Sequence, residues 1–178
     1  MAARRAVAPT MTLQLRLLSS TAEKATDLHK EVLDTTQHWM DTVTSGKEDA
    51  PAKTAALYAE DCAFWPTVST ELRVEPQEVR DYFEYFARVP GLKVVPGSYK
   101  PFVRTFGSDI ATNDGYFTFR ADDPSSPNGE KVIPARFTFV YRKNDKTGNW
   151  EIVNHHNSVM PSPPPTLKPG YAHTAPKF

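Results

Sequence analysis

The chain has 178 residues, 39% of them hydrophobic, which suits one domain with a real core. Its 21 basic and 21 acidic residues cancel, so no chain-wide field draws it to nucleic acid or to anionic lipid. The single cysteine, Cys62, rules out an internal disulfide, and no apolar run reaches the ~20 residues of a membrane-spanning helix.

The N-terminus differs in composition from the rest. Residues 1–22 carry Arg4, Arg5 and Arg16 but no acid, set among Ala, Thr, Ser and Leu. A mitochondrial transit peptide has this composition, as does a plastid one; a disordered basic extension shares it. Residues 1–20 are therefore set apart as a leader, and the domain is expected over 21–161.

Residues 21–44 form the best helix candidate, with Leu28, Val32, Trp39 and Val43 at helical spacing and Gly46 as a stop. Asp49-Ala50-Pro51 opens a second, shorter helix running towards Glu60-Asp61-Cys62. Ala63-Phe64-Trp65 reads as a short strand ended by Pro66. Glu75-Pro76-Gln77-Glu78 starts a third helix with proline in its first turn, carrying Val79, Tyr82, Phe83 and Phe86 on one face, and Pro90-Gly91 closes it. Beyond Pro90 the period changes to two, and strands are expected over 100–105, 110–120, 132–142 and 149–159. Residues 162–178 contain Pro163, Pro164, Pro165, Pro169 and Pro176 and read as an extended tail. Helices first and a meander afterwards predict an α+β fold, a cone in which a curved antiparallel sheet wraps around the long first helix.

The last strand is the most informative segment. It spends polar side chains where Val and Ile would pack better: Asn154-His155-His156-Asn157-Ser158. Alternation sends His155 and Asn157 to one face and His156 and Ser158 to the other. Adjacent, diverging histidines are poor joint ligands for one metal, and His29, His38 and His173 lack ligand spacing, so no metal is expected. Cys62 reads as a small buried residue.

Five stretches together carry a resemblance: Phe64-Trp65-Pro66-Thr67-Val68-Ser69; Val79-Arg80-Asp81-Tyr82-Phe83; Asn113-Asp114-Gly115-Tyr116-Phe117; Pro134-Ala135-Arg136-Phe137-Thr138-Phe139; and His155-His156-Asn157-Ser158-Val159-Met160-Pro161. Over roughly residues 25–161 the chain resembles the NTF2-like superfamily. Within it, it resembles the branch shared by the calcium/calmodulin-dependent kinase II association domain and the iota-class carbonic anhydrases. The iota class implies reversible hydration of CO2 to bicarbonate without a required metal or other cofactor. The implied pocket comprises Thr67, Tyr82, His156 and Ser158, with Arg136 as an additional cation for the substrate. Two positions depart from the class: Asn157 stands where a serine is more frequent, and Pro66 where glycine is.

Each of these residues also has a purely structural reading. Tyr82 serves as a core aromatic, Thr67 as a turn-capping hydroxyl, Ser158 as a partner for strand-end backbone, and Arg136 as one half of an ion pair; His155 is assigned to structure or to an interface. The alternative function is a non-catalytic association module that dimerises or docks in a larger organellar complex. A pocket for a small organic ligand is a third possibility, because one scaffold hosts many chemistries. A homodimer is expected under either leading reading.

Overall fold

The computed structural model describes residues 11–161, with side chains from residue 25 on. Residues 1–10 of the leader and the proline-rich tail, 162–178, lie outside that range.

The elements follow in the order α1 (Met11–Val43), α2 (Ala50–Ala55), β1 (Tyr58–Trp65), α3 (Pro76–Phe86), β2 (Lys93–Val94), β3 (Lys100–Phe106), β4 (Ile110–Asp122), β5 (Glu130–Lys143) and β6 (Trp150–Val159). One sheet runs in the order β1-β6-β5-β4-β2, and β3 also pairs with β4. All pairs are antiparallel except β1 with β6, which run parallel at the sheet edge. This is the expected α+β architecture, with a mixed edge the meander alone did not suggest.

Three boundaries differ from the sequence expectation. α1 begins at Met11 rather than at residue 21, so half of the supposed leader is helical. The second helix stops at Ala55, and the chain turns into strand at Tyr58, five residues earlier than the apolar run implied. Lys93–Val94 forms a two-residue strand that no periodicity could signal.

Leu28, Val32, Trp39 and Val43, the expected stripe of α1, are all buried. Trp39 stacks on Phe117 and meets Phe83, Phe139 and His155 edge-on, with centroids 5.2–6.4 Å away, so it pins helix to sheet. α3 is secured at its start by a capping box between Glu75 and Glu78, with Pro76 in the first turn. Its buried face is Val79, Tyr82, Phe83 and Phe86. Gly115 permits the close approach of β3: a Cβ there would lie 2.1 Å from the Lys100 carbonyl oxygen.

Candidate functional site

The orientation of β6 decides what can form a site. Trp150 and Ile152 face the core, and simple alternation from them would turn Asn154, His156 and Ser158 inward. The pairing with β5 breaks that phase: Tyr141 faces Ile152, but Val140, one residue back, faces Asn154. Two residues of β6 oppose one step of β5, which is a β-bulge. The extra residue reverses the strand from Asn154 onwards. His155 and Asn157 are consequently buried, whereas His156 is exposed and Ser158 half-buried.

The expected four-residue cavity is thereby corrected. His156 and Ser158 lie on the outer face of the sheet, away from Thr67 and Tyr82. There Arg136 Nε donates to Ser158 Oγ at 3.0 Å, and Thr138 Oγ1 donates to Asp114 Oδ1 at 2.8 Å. These residues, with His156 and Tyr116, line an open groove of about 350 Å³. Arg136 thus meets Ser158 as its cross-strand neighbour rather than a core pocket.

The inner cluster is built around His155, whose ring is fully buried. It stacks on Phe139 at 3.9 Å and on Phe64 at 4.9 Å, with Trp39 edge-on at 5.2 Å. Its Nδ1 lies 2.7 Å from the Tyr58 hydroxyl, which accepts from the Trp39 indole N–H at 3.2 Å. Tyr58 has one proton to give, and burial holds that proton on by pushing the phenol well above its usual range. With the hydroxyl accepting from Trp39, its own proton goes to Nδ1, which places the imidazole proton on Nε2, where it has no acceptor among the described residues. Burial in this aromatic box, and secondarily the neighbouring His156, push His155 well below the ordinary histidine value, so it is neutral at physiological pH.

Beside this box stands Tyr82. Its ring meets Phe64 edge-on at 5.2 Å, and Phe64 in turn stacks on His155. The Tyr82 hydroxyl meets the backbone N–H of Val68, so it lies against the loop that carries Thr67. Burial raises its pKa, with the Arg73 charge opposing. Thr67 Oγ1, His155 Nε2 and Asn157 Oδ1 are each buried without a hydrogen-bond partner among the described residues. Orphaned buried polar atoms are costly, so each of them marks a place where a ligand or water would supply the missing partner. Thr67 and Tyr82 were legible in the sequence; Tyr58, Asn157 and the functional orientation of His155 were not.

A second polar knot lies deeper along α1. Thr36 Oγ1 meets Tyr141 Oη at 2.8 Å, and Asn113 Nδ2 donates to Thr36 at 2.9 Å and to Tyr99 Oη at 2.8 Å. Among the described residues no cluster of His, Cys, Asp and Glu is arranged to hold a metal ion.

The sequence profile of the calcium/calmodulin dependent protein kinase II association domain matches residues 28–161. The chain belongs to that family. A protein from Xanthomonas campestris assigned to the same association domain is 38% identical, with a TM-score of 0.63 over 74% of this chain and 86% of that one. The CamKII hub homology domain of Chlamydomonas reinhardtii is 19% identical, with a TM-score of 0.58 over 75% and 98%. An NTF2-like protein with a cystatin-like fold from Novosphingobium aromaticivorans is 14% identical, with a TM-score of 0.58 over 84% and 88%. These last two speak to fold alone, and the fold of this association domain is NTF2-like. Comparison with proteins of curated function returns no match.

Proposed function

We propose that this association domain is a carbonic anhydrase of the iota-class kind, hydrating CO2 to bicarbonate at the inner cluster without a metal. One observation carries the reading: three buried, unpartnered polar atoms, on Thr67, His155 and Asn157, accompany an otherwise aromatic box that suits apolar CO2. In this reading the Asn157 carbonyl orients water by accepting a hydrogen bond from it. The water oxygen bonds to carbon while one C=O electron pair moves onto oxygen. Thr67 and Tyr82 hydroxyls donate to that growing oxyanion. In the same reading His155, whose Nδ1 is taken by Tyr58, directs its Nε2–H at the reacting oxygens, and the released proton leaves through water rather than on the buried imidazole.

Stopped-flow CO2 hydration tests this reading. We expect chelator-resistant activity, with Thr67→Ala and Tyr82→Phe each lowering kcat/KM by about tenfold or more and His155→Ala by about a hundredfold or more. His156→Ala and Ser158→Ala should leave the rate unchanged. A hydration rate no faster than buffer, or a loss confined to the outer-face variants, would sink it.

A second, compatible reading is self-association through the outer face of the sheet, with the domain acting as a homodimer or as a subunit of a larger assembly. The cross-strand row Phe102–Asp114–Thr138–His156–Trp65 spans the sheet, and Arg104 lies over Phe102 and Phe106 on the same face. Trp65 is 44% and Phe106 52% exposed, much apolar area for solvent to cover. Sedimentation should give a dimer or higher assembly for the parent chain and a monomer for Trp65→Asp/Phe106→Asp. A parent that sediments as a monomer at micromolar concentration removes this reading.

A further inference from the structure

The polar knot along α1 is used by neither reading, and its hydrogen bonds do not close. Thr36 Oγ1 gives its one proton to the Val32 carbonyl at 3.0 Å. Its two lone pairs are taken by Asn113 Nδ2 at 2.9 Å and by the Tyr141 hydroxyl at 2.8 Å, which is therefore the donor in that contact. Asn113 directs its second N–H at Tyr99 Oη, 2.8 Å away. Two groups are left over. The Tyr99 proton has no acceptor among the described residues, because both lone pairs of Thr36, its other hydrogen-bonding neighbour, are occupied. Asn113 Oδ1 is buried without a partner, on a residue with no exposed surface.

Tyr99 is also where the knot meets a cavity. Its ring stacks on Phe137 at 6.0 Å, and it lines a hollow of about 400 Å³ between α1 and the stretch formed by β2 and the turn after it. Met40, Val94 and Val95 give the hollow apolar walls, and Gln37 and Asp41, which line it too, are already bonded to each other at 2.8 Å. An unused O–H at a cavity wall and an unused acceptor behind it call for one group that both accepts and donates. A hydroxyl does both, whereas a carboxylate only accepts and an ammonium only donates. A single water would also satisfy the pair, but it takes about 30 Å³, a small part of the hollow. We infer that Tyr99 and Asn113 form the polar end of a binding site for a small hydroxyl compound with an apolar body, of the phenol or short-chain alcohol class. The ligand oxygen accepts from the Tyr99 hydroxyl, its proton goes to Asn113 Oδ1, and Met40, Val94 and Val95 cover the body. This site shares no residue with the hydratase cluster, so each stands or falls alone.

The test is a phenol titration of the full chain, following the Asn113 side-chain N–H signals by NMR, with anisole as the analogue that accepts but cannot donate. We expect a saturable shift with phenol. Binding should weaken about tenfold or more for anisole in the parent chain, and by a similar factor for phenol in Tyr99→Phe. Equal affinities for phenol and anisole would mean that the hollow takes apolar bodies without reading the hydroxyl, and would overturn the site. Signals that stay still, as they would where water alone completes the knot, overturn it too. So does a shift that fails to saturate, or an unchanged phenol affinity in Tyr99→Phe. Should Tyr99→Phe fail to fold, the ratio of phenol to anisole affinity in the parent chain decides alone.

Discussion

Tyr58→Phe is expected to lower the unfolding free energy by about 2–6 kcal/mol, from two buried groups orphaned at about 1–3 kcal/mol each. The ring itself loses nothing, because its packing on Phe64 at 5.2 Å and Phe83 at 5.7 Å is open to phenylalanine. The hydroxyl, however, joins Trp39 Nε1 to His155 Nδ1, and both remain buried when it goes. The indole bond, at 3.2 Å, is long, so the imidazole acceptor accounts for the larger share. Urea unfolding of parent and variant measures the difference directly. Combining Tyr58→Phe with His155→Leu should recover part of the loss, since the imidazole left without its donor is then gone. A single-variant loss below about 0.5 kcal/mol would mean that the two groups find other partners and that Tyr58 is not the centre of the cluster.

Most of the fold was legible because it rests on periodicity. The α1 stripe, the buried face of α3 and strands β4 and β5 repeat at 3.6 or 2.0 residues, and the structure buries one alternate set there. The inner face of β6 was not legible, for a local reason. A bulge between Ile152 and Asn154 is a property of two strands in register, and only the Tyr141↔Ile152 and Val140↔Asn154 pairs reveal it. One inserted residue exchanges His156 and Ser158 for His155 and Asn157. Tyr58 was hidden differently, since it follows Ala55, Ala56 and Leu57 and reads as the end of a helix until β1 is seen to begin there.

The same inversion produces the strongest expected pH effect. His155 in the folded chain titrates well below 6.5 because its charged form would sit in an aromatic box, whereas in the unfolded chain it titrates near 6.5. The unfolded state therefore binds more protons than the folded state below pH 6.5. Stability is fully present above that value and falls by about 1.4 kcal/mol per pH unit beneath it. The carboxylates held low by partners, such as Glu31 beside Lys143 and Asp61 beside Arg142, have ordinary values of 4.5 and 3.8, so their contribution is lost at lower pH. Urea unfolding at half-unit steps from pH 7.5 to 5 reads the slope. His155→Gln should flatten it, and His156→Gln, on the outer face, should leave it intact. A slope that survives in His155→Gln, or disappears in His156→Gln, would place the neutral buried imidazole at the wrong histidine and reverse the orientation of β6 on which the inner cluster depends.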